Sequence, residues 1–127
     1  MNIQEYIKKL NTLIQQSTSA STGYRNTHNI LTITGIALSA SAAGVLAIGT
    51  SIGMNLGLII ASVSCAIVSC VTLLVDRIYD FEAKAILKEI IAKQLEQEKT
   101  YFELKTNIYK EDHQDIFVER CESIIHQ

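Results

Sequence analysis

Residues 26–75 read NTHNILTITGIALSASAAGVLAIGTSIGMNLGLIIASVSCAIVSCVTLLV and contain no Asp, Glu, Lys or Arg. About a quarter of the residues in soluble domains are charged, so fifty uncharged residues in succession indicate a membrane segment. A helix rises ~1.5 Å per residue and the hydrocarbon core is ~30 Å thick, so one crossing takes ~20 residues. The run therefore predicts two crossings and a tight turn, because a single helix of this length would extend ~75 Å.

Glycine and Asn residues within the run indicate where the turn lies. Residues 30–49 and 56–75 are the two predicted crossings, and TSIGMN, residues 50–55, lies between them with glycines around it and Asn55 as its polar residue. Glycine and Asn tolerate the dihedral angles of a tight reversal. The second crossing has eleven Leu, Ile or Val residues and the first only eight. The first crossing would therefore insert less readily alone, and we expect much of it to face protein.

Basic and aromatic residues at the flanks predict the orientation. Lys8, Lys9 and Arg25 precede the hairpin, Arg77, Lys84 and Lys88 follow it, and the turn has no basic residue. The positive-inside rule then places both termini in the cytoplasm, which predicts an integral protein of the cell inner membrane. The expected interface anchors are Tyr24, Arg25, His28, Arg77 and Tyr79.

The remaining sequence predicts an all-α protein in three parts. Residues 1–29 comprise an amphipathic helix over 2–16 and the connector STSASTG, and residues 30–75 form the hairpin. Residues 76–127 carry eight basic and twelve acidic side chains and form a cytoplasmic helical tail. We expect the second crossing to continue as a long amphipathic helix to about Tyr109. KEDHQD then interrupts it, and Asp112 or Asp115 caps a last helix.

The apolar face of the long helix must be buried by packing against another helix or subunit. The N-terminal helix, the last helix folding back and neighbouring subunits are the three candidates. Since two short helices cannot cover the whole face, we expect a small bundle completed by homo-oligomerisation. The expected oligomerisation residues are Phe81, Ile91, Leu95 and Phe102.

Catalytic and cofactor motifs do not emerge from the sequence, which predicts a non-enzymatic protein without cofactor. Cys65, Cys70 and Cys121 have no zinc or disulfide spacing, and the histidines have no ligand pattern. The acidic tail argues against nucleic-acid binding. His28 lies one turn beyond Tyr24, where it is either a polar residue of the membrane interface or a gating or pH-sensing group.

Small residues recur every four positions in both crossings. The helix-packing or pore-lining candidates are Gly35, Ser39, Ala43, Gly44, Gly57, Ala61 and Ser69. In lipid, small residues let helix backbones approach closely and hydroxyls bond across the contact. These residues either close the two crossings against each other or, in addition, form a polar face that meets water in an oligomer. The expected partners are therefore the lipid bilayer and further copies of the chain.

The Tyr-Arg-x-x-His sequence at Tyr24–His28 resembles the entry of the SLATT family of two-transmembrane domains. DFEAKAILKEIIAKQLEQEKTYFELKTNIY, followed by a break and IFVERCESII, is similar to the cytoplasmic part of that family, so the resemblance covers residues 20–125. It implies a membrane effector of a prokaryotic conflict or antiviral defence system, in which oligomerisation disrupts the membrane. The chain has no room for the sensor domain of fused members, so a separate sensor or regulatory protein would supply the trigger.

Three alternatives remain open. A holin-like pore also has two crossings and a short turn, although its tail is usually short and basic. A structural or scaffold membrane protein, for example a virion-associated one, would use the long helix to recruit a partner. A soluble bundle would need a core without charged residues over fifty positions.

Overall fold

The computed structural model describes residues 2–53, 55–105 and 113–127, and all its regular structure over these residues is α-helical. The helices are α1 (Ile3–Ile52), α2 (Leu56–Tyr79), α3 (Phe81–Glu103) and α4 (Gln114–Ile125). The predicted all-α class is confirmed. The chain divides into two compact units, which are described in turn: Met1–Gly23 with Ala83–Gln127, and Tyr24–Glu82.

The segment STSASTG, predicted to be a connector, is instead part of α1, which continues without a break from Ile3 to Ile52. The hydroxyls of Thr18 and Thr22 donate to the carbonyls of Ile14 and Thr18, at 2.9 and 3.1 Å. Such bonds to the preceding turn allow Ser and Thr inside a helix. Ser21 is buried and donates to the Ala85 carbonyl at 2.8 Å, so tertiary contact holds the segment helical.

The turn between α1 and α2 is shorter than the predicted 50–55, because α1 extends to Ile52. Gly53 has a φ of 92°, a left-handed conformation that glycine adopts without steric cost. Asn55 is the N-cap of α2, and its side-chain oxygen accepts a hydrogen bond from the Leu58 amide at 2.9 Å. The reversal therefore rests on the Gly and Asn that the sequence singled out.

α2 and α3 do not form the uninterrupted helix that the sequence predicted. Asp80 adopts the left-handed conformation between them, with φ 52° and ψ 47°, and its amide donates to the Asp76 carbonyl at 3.0 Å. Asp is one of the few non-glycine residues that tolerate this conformation. The break therefore occurs where the charged sequence begins, at a residue that carries no proline or glycine signal.

The distal end of the tail is described in part. α3 ends at Glu103, before the predicted Tyr109, because Leu104 and Lys105 form a turn in which Lys105 has a φ of 48°. The predicted Asp112 cap lies outside the described residues. His113 occupies the N-cap of α4 but its side chain does not cap the helix, and Asp115 lies in the first turn rather than at the cap. A carboxylate in the first turn still interacts favourably with the helix dipole.

The first unit packs the N-terminal part of α1, α3 and α4 around one apolar core. Its buried members are Tyr6, Leu10, Ile91, Leu95, Phe117 and Cys121. Phe102 stacks on Phe117 with ring centroids 4.3 Å apart, and the Tyr6 hydroxyl donates to the Val118 carbonyl at 3.4 Å. Both helices proposed as covers for the long helix therefore pack against α3.

This core corrects the expected oligomerisation residues. Ile91 and Leu95 are buried within the unit, and Phe102 packs against the same core, so these side chains face the chain's own helices. Phe81 belongs to the second unit, where it stacks on aromatic neighbours. The apolar residues that α3 leaves exposed are Ile86, Leu87 and Ile90, at 46%, 47% and 45%.

Truncating one buried and one exposed side chain of α3 should distinguish the core of the first unit from its surface. Leu95→Ala should lower the free energy of unfolding of the first unit by about 2–5 kcal/mol, because it leaves a cavity at a side chain that is 1% exposed. Ile90→Ala, on the exposed face, should lower it by less than about 1 kcal/mol. Urea unfolding followed by circular dichroism in detergent measures both. Equal losses would contradict the core assignment.

Candidate functional site

In the second unit, small residues meet along a seam between the later part of α1 and α2. Gly35, Ala42 and Gly49 are buried on α1, and Ser62 and Ser69 are buried on α2. All are spaced by seven positions. A strict seven-residue repeat keeps one face of a helix against its partner. The contacts run antiparallel, since Gly35 meets Ser69 and Ala42 meets Ser62.

The seam hydroxyls bond across the two helices. Ser69 Oγ donates to the Gly35 carbonyl at 2.7 Å, and Ser62 Oγ donates to the Ala42 carbonyl at 3.2 Å. Ser39 Oγ lies 2.5 Å from Ser69 Oγ. Ser39 Oγ also donates to the Gly35 carbonyl at 3.0 Å, so the hydroxyls of Ser39 and Ser69 converge on the same carbonyl. The hydroxyls of the buried Ser62 and Ser69 are therefore satisfied without water, as an apolar environment requires.

Gly35 sets the distance between the helices. A Cβ built on it would lie 2.7 and 2.8 Å from Cδ2 and Cγ of Leu73, closer than side chains approach. Gly44, on the same helix, has nothing within 4 Å of the corresponding position. Gly35 thus permits the close approach that brings its carbonyl within reach of Ser69.

The small residues that were predicted to pack because they recur every four positions belong to this seam only in part. Of the candidates, Gly35, Ser39 and Ser69 take part in the seam contacts, whereas Ala43, Gly44, Gly57 and Ala61 are exposed. A row of residues four apart rotates by ~40° around a helix at each step, so it leaves the contact after one or two steps. The seven-residue repeat was visible in the sequence as Gly35, Ala42 and Gly49, and as Ser62 and Ser69.

The outer surface of this helix pair is strongly apolar. Ile33, Ile52, Leu56 and Ile78 are 67%, 75%, 73% and 76% exposed. The best 18-residue windows of α1 and of the span Leu56–Glu103 have mean hydropathies of 1.9 and 2.6, long and apolar enough to cross a membrane, and 11% of each window is buried. The core helix of a soluble protein is mostly buried. Here the buried positions of the helix pair hold only small or hydroxylated residues, and large apolar side chains lie outside.

At the end of the seam farthest from the turn, a charged pair replaces the small residues. His28 is seven positions before Gly35, and Asp76 is seven after Ser69. His28 Nδ1 lies 2.9 and 3.0 Å from the two carboxylate oxygens of Asp76, and Nε2 lies 3.9 Å from Glu82 Oε2. An open cleft of about 600 Å³ adjoins this pair and is lined by His28, Leu73, Asp76, Arg77, Asp80, Phe81 and Glu82.

The predicted interface anchors gather near this cleft. Tyr24 and Tyr79 both stack on Phe81, with ring centroids 6.2 and 5.6 Å apart. Arg77 lines the cleft, and Arg25 is exposed. Sequence reasoning found the two tyrosines and His28 but missed their partners, Phe81 and Asp76. The seven-residue spacing from Ser69 to Asp76 was the signal that could have found Asp76.

Two titratable groups of the first unit, Tyr6 and Cys121, have raised pKa values. Within residues 2–53, 55–105 and 113–127, no group of three His, Cys, Asp or Glu side chains could hold a metal ion. Burial, with a smaller contribution from Glu98, raises the pKa of the Cys121 thiol to about 12. Burial, with Cys121 and Glu122, likewise raises the pKa of Tyr6 to about 12. Cys121 is therefore a neutral core thiol and a poor nucleophile.

Comparison with known proteins finds no matching family model, and no curated protein or solved structure with significant similarity to the chain.

Two glycine substitutions on α1 should have opposite effects. Gly35→Ala should destabilise the helix pair by about 1–3 kcal/mol, because the new methyl group meets Leu73. Gly44→Ala should stabilise it by about 0.5–1 kcal/mol, since alanine favours the helix and nothing lies within 4 Å. Unfolding in mixed micelles measures both. A seam that tolerates Gly35→Ala as well as Gly44→Ala would not be closely packed.

The first unit should lose stability in alkali. Cys121 and Tyr6 have folded pKa values of about 12 against ordinary values of 9.0 and 10.0, so their neutral forms stabilise the fold fully below pH 9. This stabilisation is lost as the pH rises from 9 to 12, because the unfolded state releases its protons first. Unfolding free energies should show that Cys121→Ala removes the decline between pH 9 and 10. Cys70→Ala is the control, and an unchanged decline in Cys121→Ala would refute the assignment.

Proposed function

We propose that this chain is an integral membrane protein whose second unit, residues 24–82, spans the bilayer as a helical hairpin. The observation that supports this proposal is a distribution of side chains that is the reverse of that in a soluble protein. Large apolar side chains cover the outside, the hydroxyls of Ser62 and Ser69 are satisfied inside, and no charge lies between Arg25 and Asp76. In water this surface would be an aggregation hazard, whereas in lipid it is the favourable arrangement.

We further propose that the hairpin assembles with other copies and permeabilises the membrane. Ser39, Ser62 and Ser69 bond within the hairpin, which leaves the opposite face of α1 for contact with neighbours or water. Gly44 is nine positions, and therefore ~180°, from Gly35 around the helix. The small exposed residues on that side are Ala37, Ala40, Gly44, Ala47 and Ser51. Outside the hairpin, exposed Ile86, Leu87 and Ile90 supply a second candidate contact.

The resemblance to the SLATT family supports an effector role in prokaryotic defence. It rests on Tyr24–His28 and on the helical tail, and it implies oligomerisation as the step that disrupts the membrane. A trigger from a separate sensor protein is part of this proposal. The proposal concerns the cell inner membrane, with both termini in the cytoplasm, as the basic flanks favour.

Cysteine labelling tests the orientation. With Cys65→Ala and Cys70→Ala as background, Ile52→Cys should react with an impermeant maleimide in intact cells, and Glu119→Cys only after lysis. Both positions are exposed, whereas Cys121 is 0% exposed and would stay unlabelled in either orientation. Labelling of Glu119→Cys in intact cells would overturn the cytoplasmic placement.

Dye leakage from liposomes tests the function. Wild-type protein should release dye when its tail is cross-linked into oligomers. Gly44→Leu should abolish release, because a large side chain separates neighbouring α1 helices, while insertion is favoured by added Leu. Ser64→Leu is the matched control, since it adds similar bulk at an exposed position of α2, and it should leak like wild type.

The outcomes separate the alternatives. Liposomes that stay sealed with wild-type protein in every oligomeric state would refute permeabilisation and favour the scaffold role. If Gly44→Leu protein releases as much dye as the wild type, the outer face of α1 does not form the contact between neighbouring copies. Leakage lost in both Leu variants would show that bulk on either helix acts non-specifically.

A further inference from the structure

Each pair of residues that meets across the seam can be called a layer. The layer formed by His28 and Asp76 differs chemically from the layers at Gly35 and Ala42. The layers at Ala42 and Gly35 are held by serine hydroxyls that donate to backbone carbonyls, and these bonds do not change with pH in the physiological range. The layer at His28 joins two ionisable side chains, 26% and 14% exposed. It lies at the end of the hairpin farthest from the Gly53 turn, where nothing covalent holds the two helices together.

The groups around His28 make this layer sensitive to one proton. Asp76 and Arg77 come from α2, Asp80 from the junction, and Glu82 from the start of α3. With neutral His28, three carboxylates and one guanidinium give a net charge of −2, and a proton on His28 changes it to −1. A neutral imidazole has one N–H to donate, which Asp76 accepts, whereas an imidazolium also places an N–H toward Glu82, 3.9 Å from Nε2.

We propose that His28 and Asp76 form a proton-operated latch that closes the open end of the hairpin. When His28 is protonated, Asp76 and Glu82 hold it between them and α1 stays against α2. When His28 is neutral, it loses its attraction to Glu82 and keeps only the hydrogen bond to Asp76, so the end of the hairpin separates more readily. Histidine is the side chain whose ordinary titration falls between pH 5 and 8. The inference rests on the membrane hairpin of the proposed function but not on leakage.

Distance measurements between two spin labels test the latch. Asn26→Cys and Ile78→Cys place labels at exposed positions of α1 and α2 that flank the His28–Asp76 layer. Cys65→Ala and Cys70→Ala remove the accessible thiols, and Cys121 is shielded. Double electron–electron resonance in nanodiscs should show a short, narrow distance distribution at pH 5.5 and a longer, broader one at pH 8.5.

Three variants assign the change to the latch. Asp76→Asn and His28→Gln should each give one distribution at both pH values. Glu82→Gln should reduce the difference without removing it. His113→Gln with His126→Gln should leave the difference intact, and it also leaves His28 as the sole histidine, so that nuclear magnetic resonance can follow its titration.

Two results would overturn the latch. One is a distance distribution that does not change with pH in the wild type, even though the His28 signal titrates. The other is a pH-dependent change that survives in Asp76→Asn and His28→Gln. Neither result bears on dye leakage, so failure of the latch and failure of the permeabilisation proposal can be told apart.

Discussion

The contact of α1 with α2 at Gly35 is the constraint on which the rest of the second unit depends. A glycine there lets the helices approach until the Ser69 hydroxyl reaches the Gly35 carbonyl at 2.7 Å. The repeat of small residues every seven positions extends that approach through Ala42 and Ser62 toward the turn. Since the inner face is filled by small residues and hydroxyls, the large apolar side chains have only the outer face to occupy. The proposed lipid surround would stabilise this arrangement.

The first unit has the opposite arrangement of side chains. Its core consists of large apolar and aromatic side chains, with Phe117 and Leu95 fully enclosed, and charged residues cover its exterior. The two units therefore have opposite distributions of large apolar side chains, and the boundary between them falls near residues 23 and 83. α1 belongs to both units, and the Ser21 bond to Ala85 shows how the first unit holds α1 helical up to the boundary.

Much of the fold was predictable because it follows from composition. The charge-free run, the Gly and Asn turn and the amphipathic tail each have a local physical signal, and the described residues are helical as expected. Two of the failures have a common cause, which is tertiary contact. Ser21 holds a serine-rich segment in a helix, and α4 covers Leu95 and Phe102, which looked available to neighbouring subunits. Asp80 breaks the long helix without any glycine or proline to mark it.

The site was predictable in its residue types but not in its register. Small residues were expected to pack, yet the choice between rows of four and rows of seven depends on how the helices cross. His28 was identified at the interface, but its partner Asp76 is 48 positions away and becomes evident only when the antiparallel register is known. Pairing Gly35 with Ser69 fixes that register, and Ser62 with Ala42 and His28 with Asp76 then follow at intervals of seven.

Accessibility of spin labels along α2 in reconstituted bilayers tests most directly whether lipid solvates the outer face. Labels at Ile60, Val63, Ile67 and Val71, all more than half exposed, should collide freely with dissolved oxygen and rarely with a water-soluble nickel chelate. Labels at Ser62 and Ser69, which are 2% and 1% exposed, should be shielded from both reagents. Frequent collisions of the nickel chelate along the whole outer face would contradict the membrane hairpin and place this surface in water or against another protein.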